Sequence, residues 1–469
     1  MKYIGLFTTL IVFVLNLSAQ ECIVYGNAGT YTGDKLKLYK YSDYYSKTKI
    51  VISESIVDTA GYFNFVVKSD KVIEAVIDLD VFLGRIMVEP GKKIKIILPQ
   101  KQVRNAADEM NPFFKPMEFF VKTPESTDNI TAAISAFEKM YELSFEKIFK
   151  DPKHINSGQV EMEISDIDEK TSYCTDSFFI EYKKYRFLNL RQLSYYKNKT
   201  AVLQKNFSKE KVQYMNPAYN DLLNETFGSY IFETKADSIY KYLQNKKNWV
   251  SLNSLLSMNE MYSAKEFREY LLAINLCNLF YRQANYQNDI LQIFKNAIET
   301  DIHPITRALI TNFLKKSGIT VIGNQAPGFV LYNQEKEQIS LADFRGWFVY
   351  LCFSNLESYA CQKDLPLIKD LYKKNIDGLK VITLFKDDNH QRIIDYAVKN
   401  GYEWPVLHCY GSDRVLQDYK VAAYPSYFLI HPDGTLVLMP APGPAEDFEA
   451  AYYKHYQEWK RQQIREGNE

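Results

Sequence analysis

The chain is poor in the residues that build metal and cofactor sites. Its six histidines, at positions 154, 303, 390, 408, 431 and 455, form no His-x-x-x-His pair and no Cys/His cluster, so a zinc site is not expected. It has no glycine-rich phosphate loop and no Gly-x-Ser-x-Gly elbow, which removes the common nucleotide-binding and serine-hydrolase frames. No cofactor is expected. Six cysteines in 469 residues, at 22, 174, 277, 352, 361 and 409, are too few and too scattered for a disulfide-stapled scaffold. Lys+Arg (57) and Asp+Glu (57) cancel, so no surface for nucleic acid or anionic lipid is implied.

The one long apolar run stands at the start. Lys2, the apolar stretch Ile4 to Leu17 and the small-residue end Ser18-Ala19-Gln20 make residues 1–19 a secretory signal peptide. Cys22 follows Ala19-Gln20-Glu21, which lacks the apolar and small residues that a lipid-attachment site requires. No later segment approaches the ~18 uninterrupted apolar residues of a membrane span, so the mature chain is expected to carry no transmembrane segment. Tyr (36) and Phe (29) are abundant but evenly spread, as core and sheet packing would place them.

Three regions follow from the periodicity, giving a multidomain chain. Residues 20–105 alternate with period two, as in Tyr62-Phe63-Asn64-Phe65-Val66, and turn signals at Asp58-Thr59-Ala60-Gly61 and Glu89-Pro90-Gly91-Lys92 divide the runs. A small all-β sandwich is expected. Residues 110–318 change to helical spacing and predict an α-helical domain of roughly five to seven helices. Its cleanest start is a capping box at Ser263-Ala264-Lys265-Glu266, ahead of an apolar, buried segment. From Gly323 to residue 469 strands alternate with helices, which indicates an α/β domain with a central mixed sheet.

Within this last region an apolar strand, Phe348 to Phe353, runs through a short polar loop into a helix starting near Ser358. Cys361 falls in the first turn, where exposed N–H groups and the helix dipole favour a thiolate. The alternative is an inert, half-buried thiol. Asp364 sits three residues on, either near the thiol or simply solvated. Ser358 also suits a helix N-cap.

The series Gly323, Ala326-Pro327, Phe329; Ile339-Ser340-Leu341-Ala342-Asp343-Phe344-Arg345-Gly346; a strand; a cysteine followed by Lys363-Asp364-Leu365-Pro366; Tyr419-Lys420-Val421-Ala422-Ala423-Tyr424-Pro425-Ser426; and Pro432-Asp433-Gly434 resembles the TlpA/ResA-like branch of secreted thioredoxin-like proteins. The Asp58, Gly61, Phe63, Phe65 turn and the Val88-Glu89-Pro90-Gly91 turn likewise resemble the small β domain that precedes such domains in many secreted bacterial proteins. The resemblance implies a thioredoxin-like fold for 323–469, a helix kinked at Pro366, a cis-proline at Pro425 and substrate polypeptide held near Tyr424 and Pro425. It further implies export to the bacterial periplasm or cell envelope, with envelope or secreted proteins as partners.

Family members that exchange disulfides carry Cys-x-x-Cys, and this chain has none. Aligning Cys361 with the second cysteine puts Ser358 where the nucleophile would stand, and a serine hydroxyl cannot replace that thiolate. The first reading is a redox-impaired family member that acts by protein binding. A second is a monothiol oxidoreductase in which Cys361 passes a mixed disulfide to glutathione or to a partner's thiol; a redox pair of Cys361 with its domain-mate Cys409 is a separate option. A third is a peroxidase using Ser358-x-x-Cys361, although Ser354 occupies the shielding proline's place and neither Arg392 nor Arg414 is a clear activating arginine.

Overall fold

The computed structural model describes residues 20–105, 108, 114–124, 129–150, 155–194, 201–202, 204–317, 321–374, 376–386, 389–409, 413–465 and 467. The expected signal peptide, 1–19, lies outside them. Two compact units result, one running up to Val103 and resuming over Pro116–Phe227, the other made of Arg104–Lys115 and Gly228 to the C-terminus.

The first unit opens on seven strands: β1 (Gln20–Asn27), β2 (Lys35–Tyr41), β3 (Lys49–Ile56), β4 (Tyr62–Ser69), β5 (Ile73–Leu79), β6 (Phe82–Val88) and β7 (Lys93–Ile96). In β4 burial alternates strictly, so Phe63, Phe65 and Val67 point into one core with Val24, Leu38 and Ile86. The turn before it closes on Gly61, whose φ of +84° suits glycine, while Asp58 Oδ1 accepts the N–H groups of Ala60 and Tyr62 at 2.9 and 2.8 Å. The strands form two sheets, ordered β4-β1-β7 and β3-β2-β5-β6, the second extended beyond β6 by one further strand. Strand β8 (Met117–Phe120) falls in the stretch read as helical and pairs parallel to β6.

Nine helices follow among the described residues before the last domain, more than periodicity suggested, because the breaks between them are short. Four belong to the first unit: α1 (Ile130–Phe149), α2 (Ser157–Lys170), α3 (Ser177–Ser194) and α4 (Pro217–Phe227). The N-terminus of α1 is tied to the sandwich, since the Ile130 N–H donates to Glu89 Oε1 at 2.9 Å and Thr131 Oγ1 accepts the Met87 N–H at 2.9 Å. Five belong to the second unit: α5 (Tyr230–Lys246), α6 (Trp249–Ser257), α7 (Lys265–Arg282), α8 (Gln287–Ile298) and α9 (Pro304–Ser317). The helical stretch is therefore shared between the two units.

Helix α7 is buried along most of its length, as its apolar pattern predicts, but it does not start on the expected capping box. Its N-cap is Ala264, without a side-chain cap. Ser263 is consumed by the preceding 3₁₀ turn, donating its N–H to Glu260 O at 3.2 Å and giving its carbonyl to Arg268 Nη1 at 3.0 Å.

The second unit ends in an α/β domain: β9 (Val330–Tyr332), β10 (Gln338–Ser340), β11 (Phe348–Ser354), α10 (Tyr359–Lys373), β12 (Leu379–Phe385), α11 (His390–Asn400), β13 (Val406–His408), α12 (Asp413–Asp418), β14 (Ser426–Ile430), β15 (Leu436–Leu438) and α13 (Phe448–Arg465). Its sheet is ordered β13-β12-β11-β14-β15, with β11 parallel to β12 and antiparallel to β14. All seven residues of β11 are buried. Phe348, Tyr350 and Cys352 face a core shared with Leu365 and Ile368 of α10 and Tyr452 of α13, while Val349, Leu351 and Phe353 face a second core with Leu416, Tyr419 and Cys409. Phe348 meets Tyr452 and Trp459 edge-on at centroid distances of 5.5 and 5.9 Å. Phe348→Ala is expected to destabilise the fold by about 3–5 kcal/mol, measured as a lowered urea midpoint.

Candidate functional site

The carboxyl end of β11 positions the site. Loop residues Asn355 to Ser358 turn the chain into α10: Asn355 Oδ1 accepts the Glu357 N–H at 2.7 Å, and its amide donates to Lys386 O at 3.0 Å beyond the end of β12. Ser358 is the N-cap of α10, as the sequence suggested, with extended φ and ψ of −82° and 116°. Its Oγ accepts the Cys361 N–H at 3.4 Å and donates to the Tyr424 carbonyl at 3.2 Å. The Tyr424-Pro425 bond is cis. The structure thus brings Ser358, Cys361, Tyr424 and Pro425 together. Pro366 lies inside α10, where its missing N–H leaves the Gln362 carbonyl without its usual helical donor.

Accessibility separates these groups. Tyr424, Pro425 and Ser358 are half-buried, and Tyr359 is 70% exposed, with Lys363 Nζ over its ring at 4.7 Å. Cys361 is only 1% exposed. Except for half-buried Cys174, the other cysteines are also buried.

Beneath α10 lies a polar level that local patterns did not reveal. Cys352 pairs in register with Thr383 of β12 and Tyr427 of β14, so the three side chains share one sheet face. Tyr427 donates its hydroxyl to Asp364 Oδ2 at 2.7 Å, and Trp404 Nε1 donates to Thr383 Oγ1 at 2.9 Å. Asp364 is thereby engaged rather than free in solvent. Burial holds the Cys352 thiol well above its ordinary pKa; the nearby Cys361 and Asp364 push it the same way, and hydrogen bonds with Tyr427 and Thr383 offset part of the rise. The one signal in the sequence was the period-two face Phe348, Tyr350, Cys352. Its partners come from distant strands.

Cys409 packs on the opposite face of the sheet from Cys352 and α10, and its thiol donates to the Phe385 carbonyl at 3.0 Å. It is not brought to Cys361. Arg392 pairs with exposed Glu357 at 2.6 Å, and Arg414 pairs with Asp418 of its own helix at 3.4 Å. Among the described residues no group of three His, Cys, Asp or Glu side chains is placed to hold a metal ion.

A mixed sheet with a helix capped at the carboxyl end of its central strand, set against a cis-proline, defines a thioredoxin-like domain. Residues 322–439 match the AhpC/TSA family. ResA, a thiol-disulfide oxidoreductase of Bacillus anthracis, is 32% identical over 117 residues, which are 25% of this chain and 67% of that protein. ResA of Bacillus cereus is 29% identical over 130 residues, covering 28% of this chain and 75% of the relative. The thioredoxin domain of a thiol-disulfide oxidoreductase from Bacteroides vulgatus is 20% identical, covers 29% of this chain and 97% of that one, and superposes with a TM-score of 0.27. Within the thioredoxin-like class, the chain belongs to the ResA family of thiol-disulfide oxidoreductases.

The fold keeps Cys352, Tyr350 and Tyr427 protonated, burial being the largest cause for each. The unfolded chain gives up these protons at lower pH, so their contribution is complete below the ordinary thiol value of 9.0 and is lost as pH rises above it. Urea unfolding from about pH 8 to about pH 10.5 is expected to show falling stability, with a shallower decline in Cys352→Ser.

Proposed function

We propose that this chain is an exported member of the family, resident in the periplasm or cell envelope, in which disulfide exchange is impaired and protein binding is the retained activity. One observation carries the reading: Ser358 stands at the helix start with its hydroxyl spent on Tyr424, while Cys361 is 1% exposed. Dithiol exchange begins with an accessible thiolate that forms a mixed disulfide, which a second thiol then resolves. A hydroxyl cannot take the first role, and a buried thiol cannot meet a protein disulfide. The same burial counts against the monothiol and peroxidase readings, as both need oxidant to reach Cys361.

The surface that remains available is the rim formed by Tyr359, Tyr424 and Pro425, and we assign to it the binding of polypeptide from envelope or secreted partners. No described helix is long and apolar enough to cross a membrane. In this reading the β-sandwich and the helical regions add partner contacts.

Purified protein is expected to reduce insulin disulfides no faster than buffer with dithiothreitol, and Cys361 is expected to resist alkylation in the native state. Ser358→Cys, which supplies the missing thiol at the N-cap, is expected to create insulin reductase activity. Reduction by the unaltered protein that disappears in Cys361→Ser would defeat the proposal.

A further inference from the structure

Two histidines meet at the carboxyl end of the thioredoxin-like sheet. His390 is the first residue of α11 and His408 the last of β13. Their ring centroids lie 4.9 Å apart, with the planes tilted by 35°, and both residues are half-buried. His408 shares its strand face with Val406, the face on which Ile393 and Ala397 seat α11. The ring contact therefore joins the start of a helix to the end of a strand.

This contact suits neutral rings. His390 Nδ1 is buried without a hydrogen-bond partner among the described residues. An imidazolium carries a proton on both ring nitrogens, so charging His390 buries a donor with nothing to receive it. Protonating both rings sets two positive charges 4.9 Å apart, partly shielded from water. The turn between β9 and β10 also packs on β13, since Gln334 Oε1 accepts the Val406 N–H at 3.0 Å. The surrounding elements carry Glu335, Lys336 and Glu337 on that turn, Lys386 after β12, and Arg392 and Asp395 on α11. Of these, Lys336 is the one that acts on His390. Burial is the main cause that lowers the His390 pKa, and His408 and Lys336 push it the same way. Asp387 and Asp388 lie outside the described residues.

The same end of the domain carries the site loop. Arg392 Nη1 pairs with Glu357 Oε1 at 2.6 Å, and Asn389 Oδ1, the cap of α11, accepts the Arg392 N–H at 3.2 Å. Asn355 donates its amide to Lys386 O at 3.0 Å. A shift at the start of α11 is thus passed to Glu357 and Asn355, which flank the approach to Ser358. We propose that the His390–His408 contact is an acid-sensitive latch: it holds α11 on β13 while His390 is neutral and, when both rings are charged, it parts and loosens the loop from Asn355 to Ser358. The latch is independent of what the rim binds. A freed imidazole takes up its proton near the ordinary value of 6.5 and the latched His390 only at lower pH, so the contact's contribution is complete above that value and falls away below it.

Hydrogen exchange of the purified full chain, read by mass spectrometry at about pH 7.5 and about pH 5.5 with intrinsic rates corrected, tests the latch. Protection over 355–361 and 390–396 should drop about tenfold at the lower pH. His390→Gln, which removes one of the two charges, should keep its protection at both, with its melting temperature at the higher pH checking the fold. In the unaltered protein a proton NMR titration, assigned by the signal that His390→Gln removes, should place His390 below the ordinary 6.5. The proposal is overturned by equal protection at the two pH values, by a loss that persists in His390→Gln, or by a His390 that titrates at or above 6.5.

Discussion

The complete burial of β11 governs the C-terminal unit. A seven-residue strand with a core on each face has no freedom of register, since a slip of one residue would exchange Phe348, Tyr350 and Cys352 for Val349, Leu351 and Phe353 across the sheet. With register set, the exit of the strand, the start of α10 and the chain before β14 are delivered to one place. The hydrogen bond from Ser358 to the Tyr424 carbonyl then joins two segments 66 residues apart.

That frame explains how the geometry of the family can persist in a chain without its Cys-x-x-Cys. Cys361 and Ser358 occupy the positions that strand, cap and helix dictate, and neither position requires a particular reactivity. Serine is a good N-cap residue and a buried thiol packs as a small hydrophobe. The packing beneath, with Cys352, Thr383, Tyr427 and Trp404 bonded across three strands and a loop, is independent of any exchange reaction at the surface.

Much of this was legible in the sequence, and the reasons differ by element. The strand Leu379–Phe385 and the helix after Asn389 stand as their patterns suggest, because each carries a full local signal of period, cap and turn. Ser358, Cys361, Tyr424 and Pro425 also meet, since Ser358 and Cys361 share one turn and the Tyr-Pro-Ser motif marks the start of β14. What was not legible depends on pairing between distant segments. The level of Cys352, Thr383 and Tyr427 exists only once three strands are in register. The capping box at Ser263 failed because an upstream turn took the Ser263 N–H and the helix starts one residue later, at an Ala264 N-cap. The division of the helices between two units follows from which apolar faces meet, and single-helix periodicity carries no record of that.

The parallel pairing of β8 with β6 bears on how the chain can be divided. A fragment ended at residue 105, where the period-two pattern stops, would keep β1 to β7 but strip β6 of its outer neighbour. The N–H and C=O groups of Phe82 to Arg85 would then line an open sheet edge, a template for another chain's strand. An excised sandwich is safer against edge-to-edge association if it extends past Phe120.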